Sequence, residues 1–150
     1  MLAQAGDIEV VGEAENPFVA RDRIVELSPD VLLLDVEMPH MDGVTFLRRL
    51  MHYRPMPVVI CSSRTERAGK VALEAMQAGA VEVICKPNEN YPPDQMAVDL
   101  IAAIRTAAIS VRVTTKASDA RAMASAAPAV VRNSLPSPRN AFDLIAMGGS

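Results

Sequence analysis

Between Asp7 and Ile109, short runs rich in Val, Ile and Leu alternate with longer segments of helical periodicity. The runs fall at residues 8–12, 31–35, 57–61 and 81–85, at intervals of roughly 25 residues, close to the ~30 that a βαβ unit occupies. Strands separated by helices pair in parallel, and the helices then cover the faces of the sheet. The intervening segments predict helices over 17–27, 43–53, 64–78 and 93–108. Their ends carry punctuation: Asn16-Pro17 and Asp42-Gly43 at starts, Gly79, Pro29 and Pro55 at or after stops. Asn16 and Asp42 are the expected N-caps, since their short polar side chains can accept from the free N–H groups of a first turn.

Composition narrows what such a sheet is for. Half of the 150 residues are apolar, yet there is no Trp and only two Tyr and three Phe, so the core is aliphatic and almost no ring is left to stack on bases. A net charge of −3 gives no electrostatic attraction to nucleic acid, which is bound mainly by clustered Lys and Arg. No apolar run approaches the ~20 residues of a membrane span. Leu2-Ala3-Gln4-Ala5-Gly6 after Met1 has neither the basic flank nor the apolar stretch of a secretion signal. A cytoplasmic address follows, with no membrane insertion and no nucleic-acid partner. Cys61 and Cys85 lie inside apolar runs and read as buried small hydrophobes, not as a disulfide or half a metal site.

Both ends depart from the regular alternation. Met1 to Ala5 read as the last turn of a helix leading into the strand at 8–12, so a βα unit is expected before residue 1. Residues 110–140 are rich in Ala, Ser, Thr and Pro with no sustained period, which is linker composition. Within them Val111-Arg112-Val113 fits either a further turn of helix or an extended stretch. Residues 142–147 form a new strand-like run that ends in Gly148-Gly149-Ser150. The expected organisation is a domain over 1–109, a linker over 110–140 and the truncated first strand of a second domain over 141–150.

In a doubly wound parallel sheet, chemistry gathers beyond the carboxyl ends of the strands. The run at 31–35 ends in Asp35, that at 57–61 is followed by Ser62-Ser63, and that at 81–85 by Lys86-Pro87. Singly, a strand-end Asp is a cap, a Ser a turn residue and a Lys a solvated cation. Together on one rim they make a candidate nucleophile, Asp35, a hydroxyl donor, Ser62, and a balancing charge, Lys86, for phosphoryl transfer.

The segment Asp35-Val36-Glu37-Met38-Pro39-His40-Met41-Asp42-Gly43 resembles the phosphoacceptor loop of two-component receiver domains, with the pattern D-x-x-M-P-x-M-D-G. Ser62 and Lys86-Pro87 fall where that family keeps its switch hydroxyl and its lysine. Glu9-Val10-Val11-Gly12-Glu13-Ala14, Thr45-Phe46-Leu47 and the run from Arg54 through Glu66 narrow the resemblance to receivers of CheB-type chemotaxis protein-glutamate methylesterases. Phe142-Asp143-Leu144-Ile145-Ala146-Met147-Gly148-Gly149-Ser150 resembles the opening strand of the methylesterase catalytic domain.

The resemblance implies an α/β, flavodoxin-like (CheY-like) receiver with a parallel sheet whose first strand is missing, leaving two strand edges unpaired and the chain marginally folded. It implies Asp35 as phosphoacceptor, Ser62 and Lys86 as phosphoryl-binding groups, and Ser150 as serine nucleophile, with His and Asp partners beyond the chain. Mg²⁺ would sit on Asp35 and the backbone carbonyl of Glu37, with an acidic pair from the first strand that nothing upstream of Asp35 matches. A chemotaxis histidine kinase would supply the phosphoryl group. The parent enzyme, a methylesterase and glutamine deamidase, would act on methyl-accepting chemotaxis receptors, while this chain alone would not hydrolyse esters. Val83, three residues before Lys86, stands where related receivers carry an aromatic switch residue. His40 and His52 read as solvated surface residues. The alternative output is a DNA-binding transcriptional regulator, against which the Gly-Gly-Ser strand end argues.

Overall fold

The computed structural model describes residues 5–37, 42–63, 66–123 and 142–147. Five parallel strands, β1 (Ile8–Ala14), β2 (Val31–Asp35), β3 (Val58–Ser62), β4 (Glu82–Cys85) and β5 (Phe142–Met147), form one sheet in the order β1-β5-β2-β3-β4. Four helices accompany them: α1 (Pro17–Leu27), α2 (Gly43–Tyr53), α3 (Glu66–Gln77) and α4 (Pro93–Met123). With β5 counted first, the order reads 2-1-3-4-5, the flavodoxin-like arrangement.

The position of β5 changes two expectations. Phe142–Met147 pairs in parallel with β1 from Ile8↔Phe142 to Ala14↔Met147, and with β2 from Val31↔Leu144 to Leu34↔Met147. The slot expected to stand empty is therefore filled, and the two inner edges expected to be unpaired are paired. The run read from sequence as opening a second domain lies in the first domain's sheet. A slot between two strands presents unpaired N–H and C=O groups on both sides, and a strand of six residues satisfies both rows at once. Between Val10 and Gly12 the register slips by one residue, a bulge that lets Ile8 join the core on one face while Val11 and Ala14 pack on the other.

The stretch expected to be linker is in part helical. α4 runs on through Val111-Arg112-Val113 to Met123, so the first part of the stretch read as linker is helix. No Gly or Pro interrupts the chain between Pro93 and Pro128, and Ala, Lys, Arg and Met are strong helix formers. Lack of an apolar period is thus no barrier to continuing a helix already nucleated upstream. Residues 124–140, and Met1 to Gln4 of the expected first helical turn, lie outside the described residues.

The predicted punctuation is in place. Asn16 Oδ1 accepts from the Phe18 and Val19 N–H groups, each at 3.0 Å. Asp42 Oδ1 accepts from Val44 N–H at 3.2 Å, and Oδ2 from the Thr45 hydroxyl at 3.2 Å. α3 stops at Gly79, whose φ of 111° suits a residue without Cβ, and Ala80 N–H then closes back on the Ala75 carbonyl at 3.0 Å.

Three helices cover one face and one covers the other. Ala20 and Ile24 of α1, Leu47 and Leu50 of α2 and Ala75 of α3 pack with Leu32, Leu34, Val58 and Ile60. On the opposite face Met96, Leu100, Ala103, Ile104 and Ala107 of α4 pack with Ile8, Val31, Val59 and Ile84. β2 and β3 alternate between the two cores residue by residue, which is why their sequences are apolar almost without interruption.

Candidate functional site

Register brings the three strand ends level. Asp35 pairs with Cys61 and Ser62 with Cys85, and the ladder extends one step further through Lys86 N–H to the Ser62 carbonyl at 2.8 Å. Asp35 and Ser62 are the only buried polar side chains among the described residues. Lys86 Nζ donates to Asp35 Oδ2 at 2.7 Å and to Glu37 Oε2 at 3.1 Å. Asp35 Oδ1 accepts from the Glu37 N–H at 2.9 Å. The Ser63 hydroxyl donates to Glu37 Oε1, and the Ser62 hydroxyl to the Ser63 carbonyl at 3.3 Å.

The loop after Asp35 is held close by a glycine. A Cβ on Gly43, the first residue of α2, would stand 2.7 Å from Val36 Cα and 3.1 Å from the Asp35 carbonyl oxygen. Any side chain there would push the helix start off the backbone that carries Asp35. The Asp42-Gly43 pair of the motif thus has two local causes, a cap and a close approach.

One cation, Lys86, serves both acidic side chains of the cluster. Burial pulls the Lys86 ammonium toward neutrality, but the Asp35 and Glu37 carboxylates outweigh it and raise its pKa above the ordinary value. The Ser63 hydroxyl, and then Lys86, hold the Glu37 carboxyl below its usual range. Burial, reinforced by the Asp35 charge, pushes the Cys61 thiol up to about 11. The rim therefore presents an ammonium held against Asp35 and Glu37, with a protonated thiol beside it. A buried carboxylate held at its strand end can act as a nucleophile, and the ammonium on its oxygen is placed to take up charge brought by an incoming anion.

A cavity of about 350 Å³ opens beside Asp35, lined also by Leu33, Cys61, Lys86, Glu13 of β1 and Ala146 of β5. Asp35, Ser62 and Lys86, singled out from the strand ends, do share the rim. Ser63, Glu13 and the Glu37 side chain were not expected there; the resemblance gives Glu37 only a backbone role. Ser63 was legible only as a second hydroxyl at the strand end, and Glu13 needs the neighbouring strand to bring it near. Val83 is partly buried against the core beneath α1–α3. His52 is exposed in the last turn of α2, edge-on to Tyr53. His40 and Ser150 lie outside the described residues.

Among the described residues no group of three or more His, Cys, Asp or Glu side chains could hold a metal ion. Mg²⁺ takes a near-octahedral oxygen shell. Asp35 and Glu37 are both engaged with Lys86, and Glu13, which also lines the cavity, forms no metal-holding group with them, so the described residues by themselves do not fit it. No described helix is long and apolar enough to cross a membrane.

Comparison with known proteins places this arrangement. The response regulator receiver domain family matches residues 1–92. A protein-glutamate methylesterase/protein-glutamine glutaminase of Syntrophus aciditrophicus is 54% identical over 106 residues, 71% of this chain but 31% of that protein. One from Anaeromyxobacter dehalogenans is 54% identical over 101 residues, 67% of this chain and 28% of its own length. The chain thus spans about a third of the length of the curated relatives it matches. The response regulator domain of Thermotoga maritima CheB superposes with a TM-score of 0.62 at 35% identity, over 71% of this chain and 81% of that one. A family match over more than half of the sequence, with the strand order such domains share, leaves one conclusion: the chain belongs to the response regulator receiver domains, and its relatives include the receivers of CheB-type methylesterases.

Proposed function

We propose that this chain is the phosphorylation-controlled receiver of a chemotaxis protein-glutamate methylesterase and glutamine deamidase, with Asp35 as phosphoacceptor. The observation that supports it most is Lys86 Nζ at 2.7 Å from the buried Asp35 carboxylate, on a rim shared with buried Ser62. An Asp35 oxygen attacks the phosphorus of a phosphohistidine on a chemotaxis histidine kinase. The P–N bond breaks, the imidazole leaves, and Lys86 and Ser62 hold the oxygens of the transferred group. Lys86 then follows the negative charge from the carboxylate to the phosphoryl oxygens. Mg²⁺ enters this reading only as a cofactor of the complete receiver.

In the longer cytoplasmic parent, the receiver comprises the elements up to the end of α4 at Met123 together with β5, Phe142–Met147, and the catalytic domain follows. Ser150 is the nucleophile toward the methyl-glutamyl esters of methyl-accepting chemotaxis receptors. Two experiments test the reading. Incubating the chain with Mg²⁺ and a small phosphodonor is expected to give only sub-stoichiometric labelling, read as a mass gain of about 80 Da for one phosphoryl group, and none in Asp35→Asn. In the complete protein, Asp35→Asn keeps a basal rate of methanol release and loses its stimulation by phosphodonor. Ser150→Ala abolishes release, because no acyl-enzyme forms without the hydroxyl. Undiminished stimulation in Asp35→Asn, or full activity in Ser150→Ala, sinks the corresponding assignment.

A further inference from the structure

A groove lies away from Asp35, between α1 and α2. It has a volume of about 490 Å³, inside the ~300–1,000 Å³ span of ligand clefts. Its floor is apolar and fixed, made by the buried residues Ile24, Phe46 and Leu50. Its walls carry large apolar side chains turned to water: Phe18 is 67% exposed, Val25 64% and Tyr53 82%. Single exposed hydrophobes are ordinary, but three around one cleft are a candidate contact surface.

The charged side chains that line the groove have one sign. Arg21, Arg49 and Arg54 line it and no carboxylate does. Arg21 is bridged to Asp22 at 3.2 Å with both side chains about 70% exposed, a pairing worth little in water. Arg54 donates to a neutral group, the Ser28 hydroxyl, at 2.9 Å, and Arg49 has no ion-pair partner among the described residues. From Gly43 to Arg54 there is no Asp or Glu at all, but Arg48, Arg49 and Arg54. Nor can the chain's own segment 124–141 neutralise the groove, since it carries Arg132 and Arg139 and no acid.

We infer that the α1–α2 groove seats an acidic amphipathic helix of a partner protein, with its apolar stripe between Phe18 and Tyr53 and its carboxylates on Arg49 and Arg54. Two flanking helices of 11 residues each run about 16 Å. That accommodates about three turns of a third helix, which places apolar anchors at positions i, i+4 and i+7. Arg is suited to the rim because its planar fork binds carboxylates in pairs of hydrogen bonds.

The test uses the full chain and three labelled 14-residue helical peptides, followed by fluorescence anisotropy. One carries Leu at i, i+4 and i+7 with Glu flanks, the second the same Leu pattern with Lys flanks, and the third the Glu flanks with Ala replacing Leu. The acidic amphipathic peptide is expected to bind saturably, and the other two at least about tenfold more weakly. Arg49→Glu and Phe18→Ala, both on exposed positions and checked for unchanged thermal unfolding, should each weaken it about tenfold, the loss of a contact near an interface centre. Equal binding of the Glu and Lys peptides, binding indifferent to both substitutions, or no binding overturns the inference. So does a self-associating chain, seen by sedimentation, whose dimer is lost in Phe18→Ala, because the groove would then belong to a second copy.

Discussion

Gly43 is a poor helix former at the first position of α2, about 1 kcal/mol worse than Ala by propensity. Its neighbours outweigh that preference, because a Cβ would meet Val36 Cα at 2.7 Å and that atom belongs to backbone that cannot turn away. Gly43→Ala is therefore expected to destabilise the chain by about 1–3 kcal/mol, the cost of overpacking, measured as a lower urea midpoint at unchanged slope. A gain of stability would show that the loop after Asp35 yields freely. Asp35 illustrates the same coupling of backbone and function. One carboxylate oxygen is held by the Glu37 N–H and the other by Lys86, so its position depends on the loop and on a strand end 51 residues away.

Among the elements, β5 has the widest consequence. Among the described residues β1 pairs only with β5, and β5 joins it to β2, so the backbone ladder of β1 reaches the rest of the sheet through residues far away in sequence. Ile145 lies opposite Gly12 on one side and Leu32 on the other. In a strand flanked on both sides, every N–H has a neighbour to donate to, and proline removes one. Ile145→Pro should cost about 3 kcal/mol or more and should strip hydrogen-exchange protection from 8–14 before 58–62. Equal loss of protection in both strands would mean that β1 is not held through β5.

Across the whole molecule the shifted groups define a stability window in pH. Cys61 rises from 9.0 to about 11 through burial. Tyr91 rises from 10.0 to about 12 through burial and the Asp99 carboxylate 2.6 Å away. Lys86 is raised from 10.5, its carboxylate partners outweighing burial. In each case the folded state holds its proton more tightly than the unfolded one. The stabilisation is complete below the unfolded value and is lost as pH climbs through the folded one. Glu37, held down by Ser63 and Lys86, and Asp7, held down by Arg105, act in the opposite sense. Their contribution is present above 4.5 and 3.8 and fades as pH falls further. The melting temperature should therefore form a plateau between about pH 5 and 9 and decline on both sides. Cys61→Ala should flatten the first part of the alkaline decline, and a melting temperature that climbs from pH 9 to 11 would contradict this account.

Much of the architecture was legible because its causes are local. The helix bounds at 17–27 and 43–53 follow from Asn16 and Asp42, whose side chains need only the next three residues to act as caps. The grouping of Asp35, Ser62 and Lys86 followed from one topological fact, that parallel strands end on a common rim. What the sequence left open depends on partners. An apolar run such as Phe142–Met147 reads as a strand wherever it goes, and only the slot between Ile8–Ala14 and Val31–Asp35, created by segments more than a hundred residues earlier, decided its place. Glu13 reached the cavity beside Asp35 by the same route, through β5. Strand character is written in the residues of the strand, but the identity of its neighbours is settled by which backbone hydrogen-bonding edges the rest of the fold leaves unpaired.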